Sequence, residues 1–221
     1  MSVIASITTS LDGYIAGPND APGRGLGEGG EVLHYWVFGG PWSYETGPRG
    51  APRGEAREFL DEELARTGAI VIGRWMFEVA EHWGERNPWG VPVFVVTHRP
   101  HEEPEGGEFT FVGGFPQAIE LAREAAGEKD VAIGGGAHVI RQGLATGVVD
   151  ELTIVIAPVI LGGGKRLFEG FTQTVHLERL YVRPMAWGTV LQYRVKRYEP
   201  QSRADSAWGA HPSDEGARTP S

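Results

Sequence analysis

The chain contains no cysteine. That removes disulfides, thiolate catalysis and cysteine-based zinc sites, and it leaves the redox compartment unread. No apolar run reaches the roughly 18 residues of a membrane span, so no membrane partner is expected. Positive charge is also in deficit. The 20 Lys and Arg face 29 Asp and Glu, a formal net charge of −9. A nucleic-acid binder would carry a basic stripe, and an anionic membrane surface would select basic residues. Neither partner is expected, although a local basic pocket is compatible with an acidic whole. The seven histidines form no H-E-x-x-H and no i,i+4 pair, so no metal site is expected. No G-x-S-x-G elbow is present, which argues against a serine hydrolase. MSVIASITTSLDG lacks a basic region followed by a long apolar stretch. No signal peptide is read there, and the expected location is cytoplasmic.

What the chain does have is glycine and apolar surface: 33 glycines and 41% hydrophobic residues in 221 positions. That length fits one large domain or two small ones, with ample material for a core. The most informative stretch is VAIGGGAHVIRQGL, Val131 to Leu144. Val131 to Ile133 read as a buried strand, and Val139, Ile140 and Leu144 mark the apolar side of the segment that follows. Gly134, Gly135 and Gly136 at such a turn let a ligand approach bare backbone, with amides free at the helix start. An anion such as a phosphate suits that place, at the carboxyl end of a strand where open α/β sheets bind ligands. A tight left-handed turn without a ligand accounts for the same residues.

Two further strand ends carry polar groups. IGRWMFE, Ile72 to Glu78, follows a buried strand; Gly73 permits a tight turn and Arg74 can grip a phosphate bidentately. VVTHRP, Val95 to Pro100, places Thr97, His98 and Arg99 just past another strand. Singly, each reads equally as a strand end followed by solvated side chains. Together, parallel strands would bring the three turns to one edge, where one dinucleotide could span them. Arg74 and Arg99 would supply charge for an extra phosphate, which favours NADPH over NADH. The spacing is not the G-x-G-x-x-G fingerprint, and LGGGKR lacks the Walker pattern. Gly162 to Lys165 therefore read as a turn, with an anion contact from Lys165 as the alternative.

The order of elements predicts the fold class. A first strand covers Val3 to Thr9, and a glycine-rich loop at 17–30 follows it. Residues 31–50, with Trp36, Trp42 and Tyr44, read as irregular. A helix is predicted over Glu55 to Thr67, capped by Gly68, and a strand over Ala69 to Ile72. A helix over Arg74 to His82, strands at Val91 to Val96 and Glu108 to Val112, and a helix over Pro116 to Ala126 come next. Glu151 to Ile160 is a β-branched strand. His176 to Arg183 and Gly188 to Tyr198 make a terminal antiparallel hairpin, the last strand half exposed with Gln192, Arg194 and Lys196 outward. The sum is an α/β protein with a mainly parallel sheet. From Glu199 onward apolar periodicity stops, and a disordered tail over 199–221 is expected beyond a domain at 1–198. Asp12 sits in a turn, where local hydrogen bonding is its ordinary use. Trp36 and Phe59 could line a flat-ring pocket or fill the core.

Five ordered blocks carry a resemblance: SLDGYIAG at 10–17, VIGRWMFE at 71–78, VVTHRP at 95–100, IGGGAHVIRQGL at 133–144 and VDELTIVIAPVILGGGKRLFE at 149–169. They resemble the dihydrofolate reductase-like superfamily, in particular the reductase domain of the bifunctional riboflavin-biosynthesis protein. The resemblance covers about residues 2–198. It implies a central mixed, mostly parallel sheet flanked by helices and an NADPH site along one edge. Gly73 and Arg74 would meet the phosphate region. Thr97, His98 and Arg99 would meet the adenosine ribose and its 2′-phosphate. Gly134, Gly135, Gly136 and Ala137 would meet the pyrophosphate, often with a cis bond between the first two glycines. Thr8, Ile15 and Ala16 would border the nicotinamide, and loop 17–30 would be the mobile cover.

The resemblance also implies a small heterocyclic substrate between Asp12, Trp36 and the Glu55 helix that carries Phe59. It further implies a homodimer. Two departures stand out. Tyr14 replaces the substrate-contacting lysine of the riboflavin-pathway S-L-D-G-K motif, and the partner deaminase domain is absent. No proton donor is assigned, with Asp12 and Glu58 as candidates. A true dihydrofolate reductase, a riboflavin-pathway pyrimidine reductase and a nucleotide-binding module without catalysis stay open as alternatives.

Overall fold

A computed structural model describes residues 1–99 and 108–197. Its main sheet is built from β1 (Val3–Ser10), β3 (Thr67–Gly73), β4 (Val93–Val96), β5 (Phe109–Val112), β6 (Asp130–Gly135), β7 (Glu151–Ala157), β9 (His176–Met185) and β10 (Gly188–Lys196). They lie in the order β5-β4-β3-β6-β1-β7-β10-β9. The strands from β5 to β7 pair in parallel, and β10 and β9 are antiparallel. A small second sheet joins β2 (Tyr14–Ala16) to β8 (Lys165–Arg166).

The helices are α1 (Tyr35–Phe38), α2 (Glu55–Arg66), α3 (Arg74–Val79), α4 (Phe115–Ala126) and α5 (Ala137–Ala145). α4 shows why the chain folds as it does. Phe115, Ala118, Ile119, Ala122 and Ala126 recur at helical spacing and are all buried. They share one core with Val139, Ile140 and Leu144 of α5 and with Ala69 and Val71 of β3. Ile70 and Ile72, the alternate residues of β3, face a second core with Phe77 of α3 and Phe109 and Phe111 of β5. Helices on both faces make β3 a continuous apolar run rather than an alternating one.

Several boundaries differ from the sequence reading, each for a physical reason. Gly68 is not a helix cap. Thr67 is already extended and pairs with Asp130, so α2 runs straight into β3. Glycine is needed there because a Cβ would sit 2.7 Å from the Ala126 carbonyl oxygen and from Lys129 Cβ. The segment after the loop is not wholly irregular: Gly30–His34 forms a 3-10 turn that leads into α1.

The helix expected to reach His82 stops at Val79. Glu81, His82 and Trp83 take φ of 49°, 56° and 49°, an uncommon left-handed turn that costs about 1–2 kcal/mol per residue. Aromatic burial offsets that cost. His82 stacks on Phe77 at 4.4 Å, and Trp83 meets Trp89 at 4.8 Å.

β10 is not uniformly half exposed. It lies inside the sheet between β7 and β9, and Gln192 is 4% exposed with its amide donating to Glu151 at 2.9 Å. Only Arg194 and Lys196 face solvent, both against Glu178. The Gly134–Gly135 bond is trans, as are all peptide bonds among the described residues, and β6 continues through both glycines. The tail expected at 199–221 lies outside the described residues, as do Pro100 and Tyr198.

Candidate functional site: a cationic cleft at the carboxyl edge

Parallel pairing brings the carboxyl ends of β5, β4, β3 and β6 to one edge, and a cleft of about 760 Å³ opens there. Its volume is in the range of small-molecule sites. Along the edge the cleft is lined in turn by Thr97, His98 and Arg99 past β4, Gly73 and Arg74 past β3, and Gly136 and Ala137 past β6. Ile15 of β2 closes the far end. From β4 to β1 is three strand spacings, roughly 14 Å. The structure thus brings together the three turns that the sequence singled out.

Thr8, Ala16, Gly134 and Gly135 stand behind the lining rather than in it. Thr8 is 8% exposed and its hydroxyl accepts a 3.1 Å hydrogen bond from Trp36 Nε1. Gly135 has φ of +145°, and a Cβ there would run into Met76 Sδ. The architecture therefore demands glycine at 135 whether or not a ligand binds. Gly73 is the opposite case. Its φ is −86°, and a Cβ would come no closer than 3.6 Å to a neighbouring side chain. Among the described residues nothing requires glycine at 73. What its missing side chain leaves open is the cleft itself.

Charge concentrates here. Arg74, Arg99, Arg141, Lys165 and Arg166 line the cleft, against Glu78 and Glu169 among the described residues. In a chain of net charge −9 that is a local reversal. Arg74 is held in place rather than waving free: Nε donates to Glu78 at 2.8 Å, and Nη1 to Thr97 Oγ1 at 3.4 Å and the Arg99 carbonyl at 3.3 Å. Arg141 Nη1 donates to the Leu167 carbonyl at 3.1 Å. Arg166 lies over the Tyr14 ring, 4.6 Å from its centre.

The acid and substrate residues anticipated from sequence lie elsewhere. Asp12 ties the β1–β2 turn to the loop after β7. It accepts from Ser10 at 2.7 Å, Leu161 N at 3.1 Å and Gly162 N at 2.8 Å. The Ser10 hydroxyl first, with those two amides, holds its carboxyl at about 2 against an ordinary 3.8. Glu58 is exposed on α2. Trp36 and Phe59, 6% and 2% exposed, pack at 5.8 Å in a core with Val155 and Val190. None of these four lines the cleft.

Sequence reasoning missed other lining residues. Gly114, Phe115 and Pro116 follow β5 and were reachable by the strand-end rule that found the rest. Arg141 lies one helical turn past Ala137. Lys165, which the sequence reading gave as an alternative anion contact, and Arg166, which it did not, come in through the pairing of β8 with β2.

The comparisons with known proteins agree with this architecture. A putative riboflavin-biosynthesis protein from a Shewanella species is 26% identical, with a TM-score of 0.67 over 89% of this chain and 100% of that one. A pyrimidine reductase-like protein from Corynebacterium diphtheriae, 18% identical, gives 0.55 over 89% and 92%. Dihydrofolate reductase from Enterococcus faecalis, solved with NADP(H), is 15% identical and gives 0.52 over 89% and 97%, which shows a shared fold. The uncharacterized protein YyaP of Bacillus subtilis is 39% identical over 62 residues, 28% of this chain and 33% of that protein. The match thus spans a third of that curated relative. The model of the RibD C-terminal domain matches residues 1–191, and the chain belongs to that family.

Proposed function

We propose that the chain is an NADPH-dependent reductase that transfers hydride to a small heterocycle, pterin- or pyrimidine-like, from a single domain over 1–198. The observation that carries this reading is the order of the turns along the cleft. A dinucleotide laid along the edge would put its 2′-phosphate at Arg99 and Arg74, and its pyrophosphate at the Gly136–Ala137 amides. Its nicotinamide would reach Ile15, with Thr8 and Ala16 behind. The residues fit such a group: a cationic wall, amides at the start of α5, and a glycine at 73 where a Cβ would fill open cleft.

The bound cofactor would supply the hydride, and the protein supplies orientation and electrostatics. The Trp36 indole donates to Thr8 and leaves the Thr8 proton directed away from it. Asp12 and Glu58 do not line the cleft, and this reading takes solvent as the source of the proton that completes reduction. Two structures that share the fold, one of a pyrimidine reductase-like protein and one solved with NADP(H), fit the same chemistry. A homodimer completes the proposal, to be checked by sedimentation equilibrium.

Turnover is the test. Protein and NADPH are offered dihydrofolate and, separately, a ribosylaminopyrimidinone phosphate, and loss of reduced nicotinamide is followed. Turnover on either supports the reductase and names its substrate class. NADPH binding without turnover on any pterin or pyrimidine leaves a nucleotide-binding module and overturns the catalytic reading.

A further inference from the structure

The segment 17–30 is a hydrogen-bonded arch that meets two residues of the cleft wall, Trp75 and Lys165. Gly17 N donates to Leu26 O at 2.8 Å, and Glu28 N to Pro18 O at 2.8 Å. Its tip rests beyond α3, where a Cβ at Gly25 would lie 3.2 Å from Val79 and one at Gly23 would lie 3.3 Å from Glu81. Between base and tip, Asp20 contacts two residues that line the cleft. Its Oδ2 accepts from Trp75 Nε1 at 2.6 Å and forms an ion pair with Lys165. Lys165 Nζ also stands 4.3 Å from the centre of the Trp75 ring.

Trp75 belongs to α3 and Lys165 to β8, and both line the cleft. One carboxylate oxygen therefore ties two walls together through the arch. Asp20 is 11% exposed at its side chain, and Lys165 is 43% exposed. The cation is thus accessible to a ligand while its present partner is nearly enclosed.

Lys165 differs from Arg141 and Arg166, and also from Arg74 and Arg99, whose carboxylate partner Glu78 belongs to α3 and not to a loop. Arg141 is spent on backbone carbonyls and Arg166 on Tyr14, both parts of the scaffold. The ion-pair partner of Lys165 is a loop carboxylate, which has the same sign as the ligand that a cationic cleft selects. We propose that Lys165 is an anion-binding residue at the Ile15 end of the cleft, and that Asp20 holds its place until a phosphate group of the ligand displaces it. Exchange of Asp20 for phosphate frees Trp75 Nε1 and removes the arch's tie to the cleft wall, while Leu26 N stays bonded to Tyr44 Oη. This rests on the cleft's being a dinucleotide site, and the phosphate has two sources: the cofactor's pyrophosphate or a phosphorylated substrate.

The test is a set of titrations on the full chain, wild type beside Asp20→Asn, Lys165→Met and the double variant. The probes are NADPH, sodium pyrophosphate, and ribose 5-phosphate added to NADPH-saturated protein. Tryptophan emission is followed, and Trp75→Phe identifies the Trp75 component. Thermal melts confirm folding, with Lys165→Gln replacing any Lys165→Met protein that fails.

Asp20→Asn is expected to tighten the responsible probe about fivefold, since a competing, part-buried ion pair is removed. Lys165→Met is expected to weaken it about tenfold. In the Lys165→Met background Asp20→Asn should have almost no effect, because the competition is gone. The pattern with NADPH and pyrophosphate assigns the cofactor; the pattern with ribose 5-phosphate alone assigns the substrate.

If all variants bind NADPH equally and neither phosphate probe separates them, the inference is overturned and the dinucleotide reading survives. If NADPH fails to bind while pyrophosphate shows the pattern, the dinucleotide reading falls and the anion site stands.

Discussion

The two ends of the parallel strands are built differently. At the amino edge, charges are consumed by one another. Arg66, at the end of α2, donates to Asp130 at 2.8 Å and Glu151 at 3.2 Å. Glu151 also takes the Gln192 amide, and Asp130 and Asp150 take the amides of Ser2 and Val3. That network closes four strand ends and α2 into one unit. At the carboxyl edge, the turns carry glycine, cations outnumber carboxylates, and several donors lean on backbone carbonyls or a loop aspartate. One sheet thus has an end whose polar groups are satisfied internally and an end whose polar groups are arranged around a space. The first arrangement serves stability, and the second is the one proposed to serve a ligand.

Substitutions can break this comparison. The largest effect is expected from Gly135→Val, which drives a branched side chain into Met76 at a φ of +145°. A loss of about 3 kcal/mol or more is expected in a denaturation experiment. Because the fold itself suffers, this variant reports on architecture and says little about cofactor contact. Arg66→Met should cost about 2 kcal/mol, since it strands Asp130 and Glu151 without their cation. Its ligand affinity should stay within about twofold, and a larger change would erase the division between the two edges.

Gly73→Ala sharpens the contrast from the other side. Stability should move by less than about 0.5 kcal/mol, because among the described residues the Cβ meets no atom closer than 3.6 Å. NADPH affinity should fall about tenfold, from loss of close backbone approach. An unchanged affinity would mean that Gly73 faces nothing that binds.

The smallest expected effect is in acid. Asp12 titrates at about 2 when folded against an ordinary 3.8. The unfolded chain therefore takes up the proton first, and the Asp12 contribution is present in full above 3.8 and lost as pH falls toward 2. Asp12→Asn should flatten that part of a stability-versus-pH curve. An identical slope in the variant would remove Asp12 from the account.

Much of this was legible in the sequence because strand-end turns obey a local grammar. Ala69 to Ile72, Val93 to Val96 and Val131 to Ile133 are apolar runs buried on both faces, and a parallel sheet puts their polar successors on one edge. That logic located Arg74, Thr97 and Gly136 without knowledge of strand order. What stayed hidden depends on contacts between distant segments. Gly68 looked like a cap because its tight partner, Ala126, is far along the chain. Asp12 looked available because the amides of Leu161 and Gly162 that occupy it lie in a separate loop. The left-handed turn at Glu81 to Trp83 is set by aromatic stacking, which overrides the helical pattern that precedes it. Lys165 reaches the cleft only because β8 pairs with β2.

The most direct test of the central claim is equilibrium binding of NADPH and NADH to the wild-type chain and to Arg74→Ala. The account predicts micromolar NADPH binding, NADH weaker by about tenfold or more, and a loss of about tenfold in NADPH affinity on Arg74→Ala. Absence of binding by either nucleotide, or equal NADPH affinity in both proteins, would contradict it.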